Sequence, residues 1–184
     1  MPTQSRRERA RAERHDLILR TARELAESVG WGAVTTRRLA EAVDYSQPVL
    51  YGHFKNMNAI ADAVALQGVE ELTVAMRTAR EDGGLRALAQ AYLDYAAEHP
   101  AVYEAIFVRP TDLSFGSPDS PSSLKDAFDE IRAGVEPFAD TDPETLTEVF
   151  WSALHGQATL NHTNRLRPTH AKPRVDLLVS RLTG

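Results

Sequence analysis

The chain has 184 residues, enough for one substantial core or a small domain on a larger one, with a formal net charge of −5 and no cysteine. The missing thiols exclude a disulfide framework and a thiolate zinc site, and no run of roughly 18 apolar residues offers a membrane-spanning helix. The charged stretch from Ser5 to Arg14 lacks the apolar centre of a secretory signal, so a cytoplasmic location is expected.

The charge is unevenly divided. Residues 1–55 hold ten Lys/Arg against seven Asp/Glu, a balance of +3, while the remainder holds eleven against nineteen, a balance of −8. Positive charge therefore collects at the N-terminal end, where an anionic polymer would be met, and the rest repels one. Arg6, Arg7, Arg9, Arg11 and Arg14 precede the first expected helix. They form either an arm reaching a DNA groove or backbone, or a solvated terminus interrupted by Glu8, Glu13 and Asp16.

In chain order, Leu17, Ile18, Ala22, Leu25, Ala26 and Val29 make a helical stripe that stops at Gly30. A second short helix has Leu39, Ala40 and Val43 on one face, with Thr35 or Thr36 as its cap. Asp44-Tyr45 forms a turn, and Ser46 caps a third helix with Pro48 in its first turn and Val49 and Leu50 packed inward. Gln47, Tyr51 and His53 are left near the outer face. Two short helices split by a tight break are the layout of a helix-turn-helix, whose second helix lies in the DNA major groove.

Further helices follow. Met57 to about Arg80 carries apolar residues on more than one face, and Leu85 to Ala96 keeps a 3.6-residue period until His99-Pro100 interrupts it. Val102 to Phe107 is a short helix, Pro110 to Ser123 a loop, and Leu124 to Val135 a helix ended near Pro137. Thr141-Asp-Pro-Glu144 reads as a capping-box start for a helix running to about Asn164. An irregular link from Arg165 to Pro173 leads to a final stripe of Val175, Leu178, Val179 and Leu182. No strand pattern and no internal repeat is present, so the expected fold is all-α.

Gly30, Thr35, Leu39, Ala40, Ser46, Leu50, Tyr51, His53 and Phe54 agree in order and spacing with the N-terminal domain of the TetR family of bacterial transcriptional regulators, which residues 10 to 60 resemble. Two positions depart from that family. Asp44 stands where the turn usually has Gly, a modest cost because Asp accepts left-handed backbone angles. Met57 stands where a Lys often touches phosphate, which shifts that contact toward Lys55. Trp151, His155 and Gly156, with the segment from Ala91 to Phe107, resemble a C-terminal subgroup of the family named for Trp-His-Gly (WHG).

The resemblance implies a three-helix helix-turn-helix domain, residues 1–56 with 1–8 flexible, on a larger helical effector-binding and dimerisation domain, residues 57–184. The DNA-facing set is then Thr35, Thr36, Arg37, Ser46, Gln47, Pro48, Tyr51, His53 and Lys55. Gln47 can read an adenine edge, Arg37 guanine or phosphate, and Tyr51 thymine methyls or phosphate. Thr36, His53 and Lys55 fix register on the backbone. A small-molecule pocket is implied among Tyr92, Tyr95, Tyr103, Phe107, Phe128, Trp151 and His155, residues that as types fill a core equally well. The helix from Pro143, with small Ala153, Gly156 and Ala158, serves either intrachain packing or, as the family implies, an isologous homodimer.

Partners are thus an operator duplex, a small-molecule effector and a second copy of the chain, with no membrane, metal or cofactor. The function implied is a repressor released from a pseudo-palindromic operator by its effector. The alternative is an effector-independent, architectural DNA-binding protein. An enzyme is not expected, because His99 and His155 have no nucleophile, metal cluster or phosphate-binding glycine loop to work with.

Overall fold

A computed structural model describes residues 2–140 and 142–184, with side chains from residue 6 onward. Eight α-helices and no strand are present among the described residues. They are α1 (Pro2–Val29), α2 (Thr36–Ala42), α3 (Gln47–Tyr51), α4 (Met57–Glu98), α5 (Pro100–Phe107), α6 (Ser122–Val135), α7 (Pro143–His162) and α8 (Ala171–Thr183). None of the described helices is long and apolar enough to cross a membrane.

The N-terminal arginines do not form an arm ahead of α1. The helix reaches back to Pro2 because Arg, Glu and Ala, which dominate this stretch, lose little side-chain freedom in a helix. At its other end Gly30 takes φ 76°, a conformation open to glycine, and its N–H bonds the Ala26 carbonyl at 2.8 Å. The long helix α4 loses helical geometry at Gly83 and at Gly84, whose φ of 70° and ψ of −160° suit only glycine. The two arms flanking this break coincide with the two periodic stretches read from the sequence.

The chain divides into two compact units. The first is Met1–Gln67 with Ala101–Leu113, and the second is Gly68–Pro100 with Ser114–Gly184. Within the first, α5 joins the three N-terminal helices by specific polar contacts. Glu27 Oε2 and Oε1 accept from the Ala101 and Val102 amides at 3.1 and 3.2 Å, satisfying donors that the first turn of α5 leaves open. Buried Trp31 donates its indole N–H to the Ala101 carbonyl at 2.7 Å, and the Arg109 guanidinium lies 5.2 Å from the Trp31 ring centre. Thr111 donates to Asp62 at 2.6 Å. Around these contacts Ile18, Leu19, Ala22, Leu39, Leu50, Val64, Val102 and Ile106 are buried.

In the second unit, Arg77 and Arg80 of α4 pair with Glu130 of α6 at 3.0 and 2.5 Å. The Glu130 side chain is only 5% exposed, so both guanidiniums are needed to offset its desolvation. Gly134 lets the Leu85 and Leu88 side chains close on α6, where an added Cβ would lie about 3.1 Å from Leu88. Asp142 caps α7, accepting from the Glu144 and Thr145 amides at 3.1 Å each and from the Thr145 hydroxyl at 2.6 Å. Those hydrogen bonds, the hydroxyl one foremost, hold the Asp142 carboxyl below its ordinary pKa. The Thr141 position of the expected capping box lies outside the described residues. The final helix starts at Ala171, two residues earlier than the proline that closed the expected link, because Pro173 falls in a first turn whose N–H groups need no intrahelical partner.

Trp31→Phe removes the indole N–H that the Ala101 carbonyl accepts, while the helix still supplies that carbonyl with a donor. It should cost about 0.5–1.5 kcal/mol in urea unfolding for the lost hydrogen bond, with the smaller ring adding to the loss.

Candidate nucleic-acid interface

Helix α2 starts at Thr35, whose hydroxyl accepts from the Arg38 amide at 3.1 Å, and buries Leu39 and Ala40. The chain reverses at Asp44 with φ 56°, the left-handed geometry its carboxamide-sized side chain tolerates. The Tyr45 amide then bonds the Ala40 carbonyl at 3.0 Å. Helix α3 follows, only five residues long, with Pro48 in its first turn.

Ser46 occupies the capping position of α3, but its side chain makes no capping bond. The physical reason is local. Pro48 has no N–H to offer, and the Val49 amide already bonds the Ser46 carbonyl at 3.0 Å. The exposed hydroxyl is therefore not consumed by the helix. A second difference concerns Val49, which is 37% exposed, whereas Leu50 is 1% exposed. A helix this short turns a single residue fully inward, and Val49 joins the outer surface.

That outer surface carries Ser46, Gln47, Pro48, Val49 and Tyr51, all exposed. Tyr51 is 54% exposed, and its hydroxyl lies 3.5 Å from Thr36 Oγ1, so α2 and α3 present these groups together. Thr35 is exposed, with its hydroxyl oxygen engaged as the cap of α2. Arg37 is exposed but donates to Glu41 one turn later at 2.9 Å, which also raises its pKa. Arg38, absent from the expected set, is exposed beside it, and its side chain forms no ion pair among those identified in the described residues. Lys55 is exposed beyond α3.

His53 is half-buried, because α1 crosses the end of α3. Arg11 Nη2 donates to the Gly52 carbonyl at 3.2 Å, and the His15 ring stacks on Phe54 with centroids 4.6 Å apart. Burial first, then Arg11, Arg14 and His15, push the His53 imidazole below its ordinary pKa. The next helix opens with a signal that the sequence reading missed: Asn56 Oδ1 accepts from the Ala59 amide at 2.8 Å, an Asn cap three residues ahead of its donor. The first turn of α4 thus begins just after exposed Lys55 in the chain.

The expected pocket residues fall in both units. Tyr92, Tyr95, Phe128, Trp151 and His155 belong to the second, and Tyr103 and Phe107, with ring centres 4.8 Å apart, to the first. Trp151 donates its indole N–H to the Tyr92 hydroxyl at 3.1 Å, and His155 lies 6.3 Å from the Trp151 ring. Burial pushes His155 below its ordinary pKa. Tyr95 donates to Glu71 at 3.0 Å and packs 4.8 Å from the His99 ring. Phe128 on α6 is half-buried.

Comparison with known proteins points the same way. The family model described as bacterial regulatory proteins, tetR family, matches residues 18–64, and that of the tetracyclin repressor-like C-terminal domain matches residues 85–182. The class C tetracycline repressor protein of Escherichia coli is 52% identical over 50 residues, 27% of this chain and 23% of that protein. The HTH-type transcriptional regulator YobS of Bacillus subtilis is 30% identical over 100 residues, 52% of each chain. The chain therefore spans from about a quarter to about half of these relatives' length. Among solved structures, a protein of unknown function from Rhodococcus sp. RHA1 shares the fold, with TM-score 0.74 at 22% identity over 92% of each chain.

Asp44→Val should destabilise the protein by about 1–2 kcal/mol in chemical denaturation, and Asp44→Gly should be neutral or stabilising, because only the former resists a left-handed backbone. The lowered His53 pKa means the fold favours neutral imidazole. Its contribution to stability is intact above the ordinary value of 6.5 and is lost as pH falls through the lowered one. His53→Gln should accordingly lose less stability than wild type between about pH 7.5 and about pH 5.5 in parallel denaturation series.

Proposed function

This chain belongs to the TetR family of bacterial regulatory proteins, and we propose that it acts as a homodimeric repressor that leaves a pseudo-palindromic operator when a small molecule binds. The observation that carries this reading is the exposed face of α3. Gln47, Val49 and Tyr51 stand outward while Leu50 and Phe54 fix the helix from behind. Two such helices, about 34–36 Å apart, enter successive major grooves. Gln47 reads an adenine edge, and Val49, Pro48 and Tyr51 pack on thymine methyls. Ser46, Thr35, Thr36, Arg37, His53 and Lys55 hold phosphates.

Residues 1–56 then serve DNA binding, and residues 57–184 effector binding and dimerisation. Along α7 the residues Val149, Ala153, Gly156 and Leu160 form one stripe at heptad spacing. Val149 is 59% exposed and Leu160 40% exposed. A Cβ at Gly156 would meet nothing within 4 Å in its own chain. Both facts support this stripe as the contact with a second copy. The Trp151-His155-Gly156 pattern supports the WHG subgroup within the family.

Within the second unit, Tyr92, Tyr95, Phe128, Trp151 and His155 supply apolar walls with polar tips for an effector. For a 100-fold loss of operator affinity the effector must favour the released state by about 2.7 kcal/mol. The alternative, an architectural protein with no effector, draws support from the complete burial of Phe150 and the near-complete burial of Tyr92, as in a filled core. Binding of the DNA flanking its own coding region, followed by loss of binding with added metabolites, separates the two.

Gln47→Ala and Tyr51→Ala should reduce binding to that DNA far more than to mixed-sequence duplex. Lys55→Ala should weaken both and lower the salt slope by about one unit, as read by fluorescence anisotropy. Gly156→Glu should leave the monomer folded by circular dichroism yet sediment as a monomer and lose operator binding. Intact dimers would remove α7 from the interface.

A further inference from the structure

Resting on the reading that α3 meets a duplex, we propose that the corner where α1 crosses the end of α3 is a proton-linked phosphate site. There His53 takes up a proton from solvent as a DNA phosphate arrives beside Arg11, Arg14 and His15, so DNA affinity rises as pH falls.

Geometry brings the groups together. The Arg11 guanidinium is held on the Gly52 carbonyl, one residue from His53, by a hydrogen bond of 3.2 Å. The His15 and His53 rings stand 6.4 Å apart and tilted by 54°. His15 is kept there by its stack on buried Phe54. Lys55, two residues along, is exposed. No charged side chain lies on α3, and the first residues of α4, Met57 and Asn58, are uncharged. A carboxylate also stands by this corner: Asp16, whose Oδ1 is 3.6 Å from His15 Nδ1 and which is itself exposed.

His53 therefore faces Arg11, Arg14 and His15, with Asp16 one ring away. An imidazolium there adds positive charge to a corner that already has it and loses part of its hydration. Burial and these cations favour the neutral ring in the unliganded protein. A phosphodiester reverses both effects. It supplies the missing negative charge to the arginines and accepts a charge-assisted hydrogen bond from the protonated ring. The proton held by the complex and absent from the unliganded protein makes affinity depend on pH, by about tenfold per pH unit for each proton fully taken up. A dimer offers two such corners.

The test uses the full chain and two duplexes, the DNA flanking its coding region and a mixed-sequence control, with anisotropy at about pH 6, 7 and 8 and fixed ionic strength. Wild type should bind both more tightly as pH falls, by at least about tenfold over this range. His53→Gln should bind more weakly but with a slope flatter by up to one proton per head, and parallel slopes overturn the proposal. In wild type, the His53 ring followed by NMR should titrate at higher pH with duplex than without, and an unmoved titration overturns it independently of any variant. Binding with a pH-independent affinity defeats this proposal alone. Failure of wild type to bind either duplex at low salt defeats the DNA-binding reading as well.

Discussion

A helix of five residues makes too few internal hydrogen bonds to persist in water, so the reading surface exists only because its neighbours hold α3 in place. Leu50 and Phe54 are its buried anchors. The left-handed Asp44 sets the direction of entry, and Pro48 pre-shapes the first turn. Arg11 and His15 of α1 close the far end through Gly52 and Phe54. With the inner side committed to packing, Ser46, Gln47 and Tyr51 are left on the outer, exposed side.

The same economy extends to α5. This helix lies within the C-terminal stretch of sequence, yet its residues are part of the first compact unit. Glu27 covers the Ala101 and Val102 amides and Trp31 donates to the Ala101 carbonyl, so the end of α1 is fixed by a segment some seventy positions away. The reading head thus has a fourth helical support, whose flanking residues on both sides belong to the second unit. α4 runs unbroken from residues 57–67 of the first unit into the second until Gly83. The chain therefore passes between the two units three times, after residues 67, 100 and 113.

Charge follows the same division of labour. The basic surplus of residues 1–55 lies on α1, on α2 and at Lys55 beyond α3, while buried Glu130 in the second unit is neutralised by Arg77 and Arg80 rather than left to attract other ions. On α7, by contrast, an apolar stripe interrupted by Gly156 has open space before it. Surplus apolar surface at heptad spacing, with a glycine that its own chain does not require, fits close approach by another helix.

Much of this architecture was legible in the residues themselves. The Thr35 cap, the Asp44 turn, the Gly30 stop and the break between Arg80 and Leu85 are local signals, since caps, left-handed turns and helix periodicity act over a few residues. They fixed the all-α class and the position of the helix-turn-helix. The unspent Ser46 hydroxyl, the outward Val49 and the Arg37–Glu41 pair also have local causes, but ones visible only when exact helix phase is known. The membership of α5 in the head, the Trp31 contact with Ala101 and the convergence of Arg11, His15 and His53 were decided by tertiary structure alone. Those contacts join residues far apart in the chain, and nothing in one segment's sequence specifies which distant backbone group will meet its buried donor.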